Sequence, residues 1–102
     1  MIISVLKTVF SEDLKKLKLE IEQYKDEKNL WLIEHDIKNS AGNLCLHLIG
    51  NLNGLIGAVL GETGYIRQRE LEFSSKNIPK SELLLKIEET IAMVHISLDK
   101  LK

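Results

Sequence analysis

Between Lys38 and Glu62 the chain carries no charged residue over 23 consecutive positions, a run that holds Leu44, Leu46, Leu48, Ile49, Leu52, Leu55, Ile56, Val59 and Leu60. A segment of this length without strand-like alternation reads as a helix over about 41–60, and no solvated face can be drawn on it. Such a helix is enclosed by protein or immersed in lipid. Its length would reach across a bilayer. Against lipid stand Asn39, Asn43, His47, Asn51 and Asn53, whose polar groups are costly in hydrocarbon, and flanking segments patterned for water. The expectation is a helix packed in protein, with no membrane partner.

The flanks are amphipathic. Ile3, Leu6, Phe10, Leu14, Leu17, Ile21 and Tyr24 recur at steps of three and four, which predicts a first helix over about 2–27, with the opening MIISVLKTVF as its first turns rather than a leader. Leu84, Ile87, Ile91, Val94, Leu98 and Leu101 repeat in the same way and predict a third helix over about 82–101. Ser40 and Ser81 are expected N-caps, and Gly61 is expected to end the second helix. The connection 61–80 is mixed in polarity, and the short cluster Leu30–Ile33 is expected to close one end of the core. A chain of 102 residues makes one all-α domain spanning 1–102.

Several function classes drop out at this point. Fourteen Lys+Arg against fifteen Asp+Glu, with no basic block, argue against a nucleic-acid partner. Cys45 is the lone cysteine, so no internal disulfide forms and a cytoplasmic location is expected. In an apolar helix it reads as a small buried hydrophobe rather than a nucleophile. The sequence contains no Ser/His/Asp order, paired catalytic carboxylates or phosphate-cradling glycine loop.

Packing the central helix poses a problem of coverage. Helices 1 and 3 each offer one apolar stripe, and two stripes do not surround a cylinder that lacks a polar side. A second copy of the chain is expected to supply the missing cover as a symmetric homodimer, with Gly50, Gly54, Gly57, Leu48, Leu52 and Leu55 at the joint. Glycines at spacings of three and four admit a close backbone. They serve equally well to relieve crowding within one chain, and the two readings stay open.

The phrase NSAGNLCLHLIGNLNGLIGAVLGETGYIRQRELEF, in which an LCLHLIGNL helix leads into a GYIRQRELEF connection, resembles an uncharacterised branch of the DinB/YfiT-like superfamily of bacterial proteins. The resemblance covers nearly the whole chain. It implies an up-and-down four-helix bundle, of which three main helices are expected here; completion by dimerisation is the expectation from the coverage argument above. It also implies a divalent metal such as Zn or Ni, held by a histidine on the second helix, His47, together with an HxxxH pair from the last. No HxxxH occurs in this sequence, and Gly54 stands seven residues after His47 where a bulkier residue is expected.

Further ligands would have to come from His95 on helix 3, from His35 in the EHD linker, or from a partner copy. Without metal, His47 is expected to donate to a helix carbonyl or to Asn51. Tyr65, Arg67 and Arg69 form a polar cluster that could line a pocket, or pair with Glu62, Glu70 or Glu72. Two functions follow. One is a non-catalytic, self-associating module without a complete metal centre, and the other is a metal-dependent enzyme of thiol-transferase or hydrolase type whose site around His47 is completed across a dimer.

Overall fold

The computed structural model describes residues 2–33 and 40–100. His35 and Leu101, singled out above, lie outside the described residues. The first helix, α1, covers Ile2–Glu22 and buries Leu14 and Ile21, with Leu6, Phe10 and Leu17 at the edge of the core. It stops short of the expected boundary near 27. The Asp26 carboxylate accepts from the Lys28 N–H at 3.0 Å and starts a separate 3₁₀ turn, Glu27–Trp31. An acidic side chain that takes up a free amide in this way competes with helix continuation. The turn buries Leu30 and Trp31 at one end of the core, while Leu32 and Ile33 stay exposed. Trp31 lies flat on Gly42, where a Cβ would fall 2.8 Å from the indole ring.

The second helix, α2, runs over Ala41–Leu52 and continues as a π-helical segment, Asn53–Leu60. Ser40 caps it as expected: its Oγ accepts from the Asn43 N–H at 3.1 Å and donates to Asn43 Oδ1 at 2.6 Å. At the start of the π segment the Asn53 amide donates both to the Ile49 carbonyl at 2.9 Å and to Thr90 Oγ1 at 3.1 Å. A side chain inserted into the helical ladder loosens it, and the wider π turn accommodates the result.

A short helix, α3, covers Arg69–Ser74, and the last helix, α4, covers Lys80–Asp99. Here Ser81 falls inside the first turn and Pro79 precedes the helix, with no side-chain cap from either. The amide is met instead by Glu27, whose Oε1 accepts from the Lys80 N–H at 2.5 Å and sets a negative charge at the positive end of α4.

The pairings between helices fix their directions. Lys7 pairs with Asp99, Ser11 with His95, and Lys18 with Glu88, so α1 and α4 are antiparallel. Asn53 meets Thr90, Gly57 lies against Met93 and Gly61 against Ser97, so α2 and α4 point the same way. The bundle is therefore up-down-down rather than strictly alternating. A parallel pair requires the chain to travel back the length of the helix, as long crossovers do in other bundles. That return places α3 along α2. The described residues contain no strand, and the architecture is three long helices with short elements between them.

Candidate functional site

The return segment packs on the face of α2 that carries Asn43, His47, Gly50 and Gly54. Asn43 is fully buried, and its Nδ2 donates to the backbone carbonyls of Glu72 at 3.0 Å and Ser75 at 2.8 Å. These bonds hold the end of α3 in place. They also aim Glu72 inward, where its carboxylate occupies the notch left by the missing side chain of Gly50; a Cβ there would overlap it.

Glu72 is 6% exposed, which for a carboxylate demands a partner. Arg67 supplies it with a two-pronged grip, Nε donating to Oε2 and an Nη to Oε1, both at 3.0 Å. His47 completes the group: its Nδ1 lies 3.2 Å from Glu72 Oε1 and 3.1 Å from the same Arg67 Nη. Phe73 covers the imidazole, with ring centroids 5.0 Å apart.

The charges are coupled. The hydrogen bonds from Arg67 hold the Glu72 carboxyl below its ordinary value against the opposing effect of burial, and the contact with His47 pulls the same way. Glu72 in turn strengthens the hold of Arg67 on its proton. Tyr65 has its phenol pushed up, first by burial and then by the Glu72 charge. At His47, Nδ1 donates to Glu72 when it bears the proton and accepts from Arg67 when it does not. In either tautomer Nδ1 is engaged by the connection. Nε2 makes no hydrogen bond to the described residues.

His47 also lines a groove of about 980 Å³ between the end of α1 and the start of α2, walled by Leu17, Ile21, Tyr24, Leu44, Cys45 and Leu48. Burial pushes the Cys45 thiol up to about 12, so it is an inert wall residue at neutral pH. His95 is elsewhere. Its Nε2 lies 2.5 Å from Ser11 Oγ between α1 and α4, and the register of α2 against α4 places it roughly 18 Å further along the bundle than His47. Among the described residues no three His, Cys, Asp or Glu side chains converge on one point. The described residues by themselves do not make up a metal centre of the kind the sequence motif suggests, since one oriented imidazole holds an ion weakly without further ligands.

The remaining sequence candidates divide between inside and outside. Gly50 and Gly54 face Glu72 and Arg67, and Gly57 faces Met93 and Thr63, so all three glycines serve approaches within one chain. Leu52 belongs to the core with Leu46, Ile49 and Ile56. Arg67 and Arg69 line a depression of about 450 Å³, whereas Tyr65 lies on a separate one with Leu46 and Glu72. Glu72 was legible only as one of three carboxylates that could pair with the arginines; nothing in its spacing marked it as buried.

One side of α2 is left uncovered. Leu44 is 47% exposed, Leu48 37%, Leu55 60% and Val59 68%, spread along the whole length of the helix. Ala41–Leu60 is long and apolar enough to cross a membrane, yet one side holds α4 and another the Asn43–Glu72 contacts with the return segment.

None of the curated proteins and none of the solved structures matches the chain. A family model described as "Protein of unknown function (DUF1572)" matches residues 2–102, and the chain therefore belongs to the DUF1572 family.

Proposed function

We propose that this DUF1572 chain is a non-catalytic helical module of DinB-like type, cytoplasmic, which completes its core by pairing α2 with α2 of a second copy. The observation that carries this reading is the set Leu44, Leu48, Leu55 and Val59, each more than a third exposed on a helix with no charge. Apolar exposure of this kind, spread along a whole helix, is uncommon on the free surface of a small protein and marks a contact. The groove beside it supports the same reading. It lies between α1 and α2, on the side away from α4, where a fourth helix would sit in a bundle. Light scattering at micromolar concentration is expected to give the mass of two chains, and Leu55→Glu the mass of one. A wild-type protein that stays monomeric at that concentration overturns the proposal.

A second reading, a metal-dependent enzyme, is favoured by one observation: the Glu72 carboxylate beside Nδ1 of His47. A carboxylate there fixes an imidazole so that its other nitrogen is available as a ligand. The missing ligands would then come from a second copy or from a neighbouring segment. Metal analysis of untagged protein beside His47→Ala decides the matter. Stoichiometric metal lost in the variant supports this second reading, and its absence from the wild type leaves the module reading.

A further inference from the structure

His47 lies where two faces of α2 meet. Asn43 and Gly50 on one side of it hold the return segment, and Leu44 and Leu48 on the other wall the groove against α1. The imidazole spans the two. Its Nδ1 is taken up by Arg67 and Glu72, and the ring geometry, with the two nitrogens on either side of one carbon, sends Nε2 away from that pair and toward the groove that the residue lines.

The contacts around Nδ1 decide which nitrogen carries the hydrogen. One Nη of Arg67 has two hydrogens: it donates one to Glu72 Oε1 at 3.0 Å and turns the other to Nδ1 at 3.1 Å, while Nδ1 and Oε1 stand 3.2 Å apart. A guanidinium is always charged and never accepts. A hydrogen on Nδ1 would set two donors against each other at that contact. Nδ1 therefore accepts, and the hydrogen of the neutral ring sits on Nε2. A doubly protonated ring carries one there as well. The same arrangement counts against a metal at His47, since a ligating nitrogen gives its lone pair and holds no hydrogen.

The groove beside this donor is of small-molecule size. Its volume of about 980 Å³ is near the upper end for such sites, with Leu17, Ile21 and Tyr24 on one side and Ala41, Leu44 and Leu48 on the other. Glu20, Lys25 and Asp26 also line it, two carboxylates against one ammonium, so an organic anion meets no net attraction there. The donor is held still by the Arg67 contact at Nδ1 and by Phe73 against the ring. One fixed donor in an apolar trough selects an uncharged molecule with an acceptor oxygen.

We infer that the groove binds an uncharged apolar carbonyl compound, a ketone, ester or amide, whose oxygen accepts from His47 Nε2–H, with Arg67 as the positioning residue that keeps the hydrogen on that nitrogen. Every wall belongs to one chain, so the site goes beyond the self-association proposed above and does not depend on it.

Two fluorescent probes of nearly the same shape test this: prodan, an uncharged naphthyl ketone, and its analogue with a methylene in place of the carbonyl. The analogue is the more apolar, so a groove without a donor would prefer it. Wild type is expected to prefer prodan. His47→Phe keeps an aromatic wall and removes the donor; it is expected to weaken prodan roughly tenfold, the scale of one unmet hydrogen bond, and to leave the analogue nearly unchanged.

Nitrogen NMR of the imidazole gives an independent readout. The hydrogen of the neutral ring is expected on Nε2 in the free protein, and that resonance moves with prodan but not with the analogue. In Arg67→Leu the hydrogen is expected to pass to Nδ1 beside Glu72, with loss of the prodan preference, and a hydrogen that stays on Nε2 there overturns the role of Arg67. Binding is expected to be no weaker in Leu55→Glu, and its loss in that variant would overturn a site built from one chain. A wild type that prefers the analogue or binds neither probe, a His47→Phe variant that keeps the prodan preference, or a neutral wild-type ring with its hydrogen on Nδ1 overturns the inference whatever the oligomeric state. A monomeric wild type that prefers prodan removes the pairing and leaves this site.

Discussion

Gly50→Ala is expected to destabilise the protein by about 3 kcal/mol, at the upper end of what overpacking one position costs. In a domain of this size that corresponds to a fall in Tm of roughly 12–24 °C. The added methyl falls on the carboxylate of Glu72. A surface glutamate would swing aside at little cost, but this one is tethered on both sides. Its backbone carbonyl accepts from buried Asn43, and its carboxylate is gripped by Arg67 and touched by His47. Moving it dismantles the group.

The neighbouring Gly54 supplies the control. A Cβ there would meet Arg67 Cδ at 3.5 Å, an ordinary contact, so Gly54→Ala is expected to be neutral or to stabilise by about 0.5 kcal/mol through the loss of backbone freedom in the unfolded chain. The cause assigned to Gly50 has a further signature. If the clash with Glu72 is the source, Gly50→Ala and Glu72→Ala are strongly non-additive, since an alanine at 72 removes the atoms the new methyl strikes. Thermal melts of the two single variants and the double variant read this directly, and additive losses would show that the notch is not what Gly50 provides.

The long helices were legible because their buried positions recur at helical spacing: Leu14 and Ile21 on α1, and Ile87, Val94 and Leu98 on α4, are core residues, although in the first turn of α4 the fully buried position is Leu83 rather than the expected Leu84. Helix ends were less so. Asp26 stops α1 with a local side-chain hydrogen bond, and Glu27 serves the start of α4 from 53 residues away, a partnership that no local pattern can announce. The count of surfaces around α2 missed one. It treated residues 62–79 as a link, whereas the parallel setting of α2 and α4 sends that link back along the Gly50 face and makes it a third neighbour.

The same return path explains the site as well. His47, Arg67 and Tyr65 could be picked out because a histidine in an uncharged helix and arginines in a short connection stand out. Glu72 could not, because three glutamates lay within reach of the arginines and only the fold selects the one opposite a glycine. The exposure of Leu44, Leu48, Leu55 and Val59 was equally hidden. Every face of α2 is apolar, so the pattern does not say which one the rest of the chain leaves bare.

Glu72→Gln keeps the shape of the side chain, replaces its charge by an amide, and is expected to lower stability by about 2 kcal/mol, the scale of a hydrogen bond to a charged group at a buried site. Its pH dependence is the sharper test. The carboxyl of Glu72 is held below its ordinary value in the folded protein, so in acid the unfolded chain takes up its proton first. The stabilisation is therefore complete above the ordinary carboxylate range and is lost as the pH falls through the depressed folded value. Wild type should lose Tm steadily on acidification below about pH 4.5, where free carboxylates begin to protonate.

In Glu72→Gln that component is absent, so the two proteins should differ most near neutrality and converge in acid. Arg67 retains its charge throughout, so the convergence below the ordinary carboxylate value follows the Glu72 carboxyl and not its arginine partner. Parallel melting profiles from neutral to acid pH, with a constant gap, would mean that the Arg67–Glu72 pair does not carry a charge-dependent share of the fold, and that the group around His47 is held by packing against Gly50 and Phe73.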